Sequence, residues 1–120
     1  MAQHNQLGEQ GESTAADLLL GKGYTILDQN WRSGRNEIDL VARTGEMIVF
    51  VEVKTRTTDV HGEPSEAVTR RQQSRIIRAA NDYLEKKQLL LEARFDIISI
   101  IKNRGGERIE HIEDAFFPLA

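Results

Sequence analysis

Residues 36–56 read NEIDLVARTGEMIVFVEVKTR and contain two strand-like runs, Glu37–Arg43 and Met47–Lys54, joined at Gly45-Glu46. Glycine at the first central position suits a two-residue type II′ turn, because that position requires a positive φ. The stretch therefore predicts a β-hairpin, and the rest of the chain is interpreted around it.

The register of this hairpin predicts one wholly apolar face. With Thr44 opposite Met47, every further pair along the two strands is determined. Side chains alternate between the faces of a strand, so the apolar positions of the two runs fall together. The predicted apolar face consists of Ile38, Leu40, Ala42, Val49, Val51 and Val53. The opposite face is charged at the end far from the turn.

The flanking sequence predicts two helices and three further strands. Apolar residues recur at helical spacing before and after the hairpin, and the later strands are short, strongly apolar or alternating runs. The predicted elements are a helix from about His4 to Lys22, ended by Gly23, a strand over Tyr24–Trp31, a helix from an N-cap at Ser65 to about Lys87, a strand over Arg94–Ile101 and an edge strand over Arg108–Ala115. With the hairpin, the order is αβββαββ.

The composition limits the classes of function. A chain of 120 residues, 39% hydrophobic, is long enough for one core, so residues 1–120 are predicted to form a single domain. The absence of cysteine excludes thiolate nucleophiles, zinc–thiolate sites and a disulfide scaffold, and it agrees with the reducing cytoplasm that we expect as its location. The longest apolar runs, about five residues, are far shorter than a membrane span of ~20 residues.

The charge distribution leaves nucleic acid open as a partner. A net charge of −3 argues mildly against a nonspecific nucleic-acid coat protein. Residues 32–78, however, carry nine basic and seven acidic residues. If two of those acids hold a divalent cation, this segment can face a polyanion.

The charged end of the hairpin predicts a metal site. Asp39 is predicted to lie directly opposite Glu52, and like charges so placed are destabilising unless something compensates. Mg²⁺ is a suitable partner, because it is commonly held by one or two carboxylates and by phosphate oxygens of a substrate. Lys54 shares a strand face with Glu52, which places an ammonium group where it can orient or deprotonate a water molecule and stabilise charge on a phosphate. Two carboxylates and a lysine in this pattern favour phosphodiester hydrolysis.

A simpler interpretation of the same residues is an ordinary ion pair. Glu37 and Lys54 lie on the same predicted face, and a cross-strand pair between them contributes little to stability. The spacing Glu-x-Lys is also frequent by chance.

Two runs of the hairpin resemble a known family. Asn36–Ala42 and Val49–Arg56 are similar to the YraN family, a group related to archaeal Holliday-junction resolvases within the PD-(D/E)XK nuclease superfamily. The similarity covers nearly the whole chain. It includes Gly8, Gly11-Glu12, Gly23-Tyr24, Asn30-Trp31-Arg32, Gly62-Glu63-Pro64, Glu66-Ala67-Val68 and Arg94-Phe95-Asp96.

The resemblance implies an α/β fold with a restriction-endonuclease-like core, in which helices flank a mixed central sheet. It implies that Asp39, Glu52 and Lys54 are the catalytic residues and that Glu12 completes a Mg²⁺ or Mn²⁺ site with the two acids. Glu12 has an equally good alternative role as a carboxylate near the N-terminus of a helix. The chain departs from the family at Asn36, where glycine is usual, and we expect the site to survive because asparagine tolerates positive φ.

Arginines around the site are candidates for DNA contacts. Arg71, Arg75 and Arg78 fall on one stripe of the second helix and, with Arg56 and neighbouring arginines, can line a groove for a nucleic-acid backbone. A solvated helix face explains the stripe equally well.

The apolar end of the chain, Phe116-Phe117-Pro118-Leu119, has two interpretations. It docks on its own sheet, or it forms a two-fold contact in a homodimer, which would suit a symmetric four-way junction.

We therefore expect a Mg²⁺- or Mn²⁺-dependent endonuclease that acts on branched or structured DNA. The alternative is a module with the same fold that binds nucleic acid or a partner protein with little or no turnover. Low overall basicity favours the module, whereas the complete set of two acids and a lysine favours the enzyme.

Overall fold

Two helices and five strands make up the part of the chain that the structure describes, in the predicted order αβββαββ. The structure is a computed structural model, and it describes the backbone of residues 2–57 and 68–118 and the side chains of residues 8–57 and 68–118. The elements are α1 (Ala2–Gly21), β1 (Thr25–Ser33), β2 (Asn36–Thr44), β3 (Met47–Arg56), α2 (Arg70–Lys86), β4 (Glu92–Asn103) and β5 (Gly106–Phe116).

The strands form one mixed sheet whose spatial order, β1-β2-β3-β4-β5, follows the chain. All neighbours are antiparallel except β3 and β4, which are parallel and are joined by the crossover that contains α2. The hairpin of β2 and β3 has the predicted register, with Thr44 opposite Met47 and Leu40 opposite Val51. Gly45 has a φ of 59°, the positive value that the first central position of the turn requires. The mixed sheet with flanking helices confirms the predicted fold class.

Each helix covers one face of the sheet with an apolar cluster. On the α1 side, the buried residues are Ala15, Ala16, Leu19, Leu40, Ala42, Val49, Val51, Ile98 and Ile100. On the α2 side, they include Val41, Ile48, Phe50, Ile76, Ala79, Ala80, Tyr83, Phe95, Ile97 and Phe116. Strand β4 contributes to both clusters, as its strongly apolar sequence predicts.

One residue of the predicted apolar face lies on the other side of the sheet. Ile38 packs in the α2 cluster, whereas Leu40, two positions later, packs in the α1 cluster. Residues two apart on a regular strand share a face, so the strand twists out of regular alternation at Asp39. The distortion coincides with Asn30, which lies between the β1 residues that pair with Ile38 and Leu40 and has a φ of 52°. The prediction for Ile38 was wrong because a regular pleat was assumed there.

Helix α2 begins later than the sequence pattern predicts. Its N-cap is Thr69, whose hydroxyl accepts a hydrogen bond from the backbone amide of Gln72 at 3.2 Å. The side chain of Gln72 in turn accepts from the amide of Thr69 at 3.0 Å, which completes a capping box. Ser65, the predicted N-cap, lies outside the described residues. Val68 is buried in the α2 cluster but precedes the helix.

A buried polar network ties the last two strands together. Asp96 is fully buried, and both of its oxygens accept hydrogen bonds from the guanidinium of Arg94, at 2.9 and 2.8 Å. The Nε2 atom of His111 lies 2.7 Å from Asp96 Oδ2, and Lys22 Nζ lies 2.8 Å from His111 Nδ1. Because an ammonium group can only donate, this contact places the proton of the imidazole on Nε2. The network connects the end of α1 to the sheet.

The aromatic residues at the end of the chain divide between core and surface. Phe116 is buried and stacks on Phe95 with ring centroids 5.3 Å apart, so the first residue of the segment docks on the chain's own sheet. The side chain of Phe117 is 65% exposed. Leu119 lies outside the described residues, and a homodimer contact stays a prediction.

Candidate functional site

The two acids predicted to meet, Asp39 and Glu52, are in direct contact. Each lies one residue beyond the last backbone pair of the hairpin, Leu40 with Val51, on the side away from the turn. Their carboxyl groups are hydrogen-bonded to each other. Two carboxyl groups can form such a bond only if one of them keeps a proton. The hairpin therefore ends in an acid pair that shares one proton.

The proton of this pair lies on Glu52. Burial is the largest effect on its carboxyl group, the negative charge of Asp39 is the next, and together they raise the pKa of Glu52 to about 8. Burial also raises the pKa of Asp39, but hydrogen bonds to that carboxylate oppose the increase. At neutral pH, the pair consequently carries one negative charge rather than two.

Asp39 is held in place by the backbone. Its Oδ2 atom accepts a hydrogen bond of 2.8 Å from the amide of Val53, where the hairpin ladder has ended. The carboxylate thus takes the position of a backbone acceptor. Because Oδ2 is held in this way, the backbone of β3 sets the orientation of the Asp39 side chain.

Lys54 acts on both acids through its charge. It lies two residues beyond Glu52 on β3, and its ammonium group lowers the pKa of Glu52 and of Asp39. The alternative of an ion pair between Lys54 and Glu37 is not the arrangement found. The ion pair of Glu37 is with Arg32, with Nη2 and Oε2 3.8 Å apart.

Glu12 reaches the neighbourhood of the pair because α1 approaches β3 closely. A Cβ atom on Gly11 would lie 2.1 Å from Thr55 Oγ1, so the backbone of α1 can pack here only with glycine. The Glu12 carboxylate accepts a hydrogen bond from the side chain of Asn30. Burial, and to a smaller extent the charges of Asp39 and other acids, raise the pKa of Glu12.

Glu12 nevertheless stands apart from the acid pair. The charge of Asp39 influences its pKa, but the two hydrogen-bonded carboxyl groups are Asp39 and Glu52 alone. Within residues 8–57 and 68–118, no three histidine, aspartate or glutamate side chains are grouped closely enough to hold a metal ion. The structure therefore brings two of the three predicted ligands into contact and places the third within their electric field.

Two residues near the site were missed by sequence reasoning. Glu37 raises the pKa of Glu12, Asp39 and Glu52, so its negative charge acts on all three predicted ligands. Glu37 lies two residues before Asp39 on β2, and this spacing could have indicated that Glu37 is close to the site. Asn30 holds Glu12, and it was considered only as part of the family resemblance, although the two-residue turn Gly34-Arg35 joins β1 to β2 and could have indicated it.

The predicted DNA-binding arginines fall into two groups. Arg56 lies on β3, two residues after Lys54, and its Nε and Nη2 atoms are buried without a hydrogen-bond partner. The other three residues are exposed on α2, and none of them is among the groups that shift the pKa of the acid pair. They are Arg71, Arg75 and Arg78.

The acid pair has the chemistry of a divalent-cation site. Two buried carboxyl groups supply only oxygen atoms, which Mg²⁺ and Mn²⁺ prefer, and a cation between them would compensate the repulsion that now requires a proton. Asp39 and Glu52 thus fit such an ion as ligands. Binding would release the proton of Glu52, because metal ligands must be deprotonated.

Comparisons with known proteins place the chain among close relatives. The model of a family described as "Uncharacterised protein family UPF0102" matches residues 11–100. A "UPF0102 protein" of Christiangramia forsetii is 46% identical over 117 residues, which are 98% of each chain. Proteins with the same description from Phocaeicola vulgatus and Geotalea uraniireducens are 43% and 45% identical, and cover 98% and 96% of this chain and 98% and 92% of their own. Among the described residues, no helix has both the length and the hydropathy for a membrane crossing.

Proposed function

Because the chain belongs to the UPF0102 (YraN) family, and because its hairpin carries an acid pair beside a lysine, we propose that it is a metal-dependent endonuclease. It hydrolyses phosphodiester bonds in branched or otherwise structured DNA. The single observation that supports this proposal best is the buried contact of Asp39 with Glu52, since such a pair is unfavourable in an inert protein.

The acids would hold the cation. Asp39 and Glu52 are the two direct ligands, and Glu12 is the third acid available from α1. When bound, Mg²⁺ or Mn²⁺ polarises the scissile phosphate and stabilises the charge that develops on it. The amide of Val53 keeps one oxygen of Asp39 fixed, so little reorganisation is needed when the ligands engage.

Lys54 supplies the positive charge of the reaction. Its ammonium group lies on the same strand as Glu52 and acts on both acids. In the proposed reaction it orients the attacking water or stabilises the negative charge on the phosphate oxygens. The role requires that Lys54 stay charged and close to the acids, and its effect on both of their pKa values supports that placement.

DNA contacts come from arginines around the site. Exposed Arg71, Arg75 and Arg78 on α2 offer sequence-independent contacts to phosphates. A homodimer would present two sites related by a two-fold axis, as a four-way junction requires.

Cleavage assays test the proposal directly. We expect the protein with Mn²⁺ to cut four-way or flap DNA in preference to linear duplex, and we expect Asp39→Ala and Lys54→Met to lose at least a hundredfold in rate. Calorimetric titration of Mn²⁺ should give a binding signal for the wild type and for Lys54→Met but not for Glu52→Ala. Absence of cleavage with every DNA, or equal cleavage by Asp39→Ala, would remove the enzyme from consideration.

A binding module is the second candidate. The net charge of −3 and the separation of Glu12 from the acid pair favour it. A DNA-binding module would show an affinity that falls steeply as salt rises, without cleavage. A protein-binding module would show no affinity for DNA even at low salt.

A further inference from the structure

Arg56 carries two buried hydrogen-bond donors that the protein leaves unused. Its Nε and Nη2 atoms are inaccessible to solvent and have no hydrogen-bond partner. A guanidinium group is always charged, and a buried donor without an acceptor is unfavourable. Because nearly all buried polar groups in proteins are paired, an unpaired pair of donors indicates an acceptor that binds from outside.

The acids of the β2–β3 hairpin near the site do not provide this acceptor. Asp39 and Glu52 are hydrogen-bonded to each other, and Glu37 forms its ion pair with Arg32. These three acids therefore have other partners, and none of them forms a hydrogen bond with Arg56.

The position of Arg56 relates it to the acid pair. Strand β3 pairs with β4 without interruption from Met47 to Arg56, so side chains alternate regularly along it. Glu52, Lys54 and Arg56 consequently lie on one face of the strand. At about 3.3 Å per residue, the Cα atom of Arg56 is roughly 7 Å beyond that of Lys54.

The two unpaired atoms define the chemistry of the ligand. Nε and Nη2 lie on the same edge of the guanidinium group and donate in parallel, which suits two oxygens of one phosphate or carboxylate. Phosphates recur at a regular spacing along a DNA strand. If one phosphate lies at the acid pair, the next oxyanion is therefore the adjacent phosphate of the same strand.

We propose that Arg56 forms a phosphate subsite, in which its Nε and Nη2 donate to the two non-bridging oxygens of the DNA phosphate adjacent to the scissile one. The inference rests on the proposed function, since it takes DNA as the ligand. Arg56 is then a residue that sets the register of the strand over the acid pair, distinct from the exposed arginines of α2. It is expected to contribute to binding even without a metal ion.

DNA binding without metal tests this subsite. The probe is a fluorescently labelled four-way junction, titrated in EDTA at several salt concentrations against the wild type, Arg56→Met and Arg56→Lys. Arg43→Met is the matched control, because it removes the same charge from the opposite end of the hairpin, where Arg43 is paired with Glu46 at 3.6 Å. Melting temperatures and Mn²⁺ calorimetry accompany each titration.

We expect Arg56→Met to bind the junction roughly tenfold or more weakly and to reduce the salt slope by about one, with Arg43→Met close to the wild type. Arg56→Lys should keep the slope but lose affinity, because lysine keeps the charge without the parallel donors. Melting temperature and Mn²⁺ binding should not fall in Arg56→Met.

Other results separate this inference from the proposed function. A lower melting temperature with an unchanged salt slope would overturn it, because the guanidinium would then have its partner inside the protein. No DNA affinity at low salt would overturn it as well. If Arg56→Met shows the expected loss of affinity but no variant or wild type cleaves DNA, the subsite stands and the hydrolytic function fails.

Discussion

Replacing Glu52 with glutamine is expected to make the metal-free protein more stable. Burial and the charge of Asp39 raise the pKa of Glu52 from its ordinary value of 4.5 to about 8. The folded state therefore binds more protons than the unfolded state between these pH values, and the free energy of unfolding falls as pH rises through this range. Glutamine keeps the shape of the side chain, can donate to Asp39 as the protonated acid does, and does not ionise.

The size of the effect follows from the same values. Each pKa unit corresponds to about 1.4 kcal/mol, so the raised pKa of Glu52 lowers the free energy of unfolding by about 3 kcal/mol at pH 7 and by about 5 kcal/mol above pH 8. With allowance for the coupling of the two acids, Glu52→Gln should gain about 2–3 kcal/mol at pH 7 and close to nothing at pH 4.5. For a domain of this length, that is a rise in Tm of roughly 10 °C at pH 7.

Thermal unfolding in EDTA from pH 4.5 to 8.5 measures this gain. The matched control is Glu46→Gln, which removes an exposed carboxylate from the hairpin turn and should change stability by less than about 0.5 kcal/mol at every pH. Added Mn²⁺ should stabilise the wild type, by about 2.7 kcal/mol at a hundred times Kd, and not Glu52→Gln. A Tm of Glu52→Gln equal to or below that of the wild type at pH 7–8 would refute the reasoning from burial and repulsion.

Two further substitutions test how the site and the sheet are held. Gly11→Ala should lower stability by about 1–3 kcal/mol and weaken Mn²⁺ binding, because its Cβ would lie 2.1 Å from Thr55 Oγ1. The control Gly8→Ala, whose Cβ would have no atom within 4 Å, should be neutral or slightly stabilising. Equal urea midpoints for the two variants would contradict this account. Asp96→Asn should lose about 3–5 kcal/mol in urea unfolding at pH 7, because it removes a fully buried carboxylate that accepts two hydrogen bonds from Arg94 and one from the amide of Asp114. Hydrogen bonds from His111 and other donors lower the pKa of Asp96, so its contribution is present above its ordinary pKa and is lost as pH falls through the folded value; a difference from the wild type that stays constant down to pH 2 would show that ionisation is irrelevant there.

The hairpin and its acid pair could be predicted because local rules determine them. A two-residue turn with glycine at its first central position fixes the register, and the last pair of that register, Leu40 with Val51, makes Asp39 and Glu52 neighbours. The apolar run of β4 was equally informative, because a strand covered by helices on both faces has no polar side.

The parts that escaped prediction depend on contacts between distant segments. The twist at Asp39, which moves Ile38 to the α2 side, arises where β1 pairs with β2 around Asn30. The two-residue turn at Gly34-Arg35 predicts that pairing but not the positive φ of Asn30. The positions of Glu12 and Glu37 relative to the acids depend on how α1 packs across the sheet. The start of α2 was misplaced for a local reason, since two candidate caps were present and only Thr69 has glutamine three residues later.

The strands lie in the sheet in the same order as they occur in the chain, and this order affects how the molecule folds. Asp39 and the Val53 amide that fixes it are 14 residues apart, whereas the Lys22–His111 contact joins residues 89 apart. Because the entropic cost of closing a loop grows with its length, the hairpin can form early, while the nascent chain is still short. The surface on which α1 packs also includes Ile98 and Ile100, so Glu12 takes its final place only after β4 has been synthesised. Asp39 and Glu52 can therefore come together before the surface that receives α1 is complete.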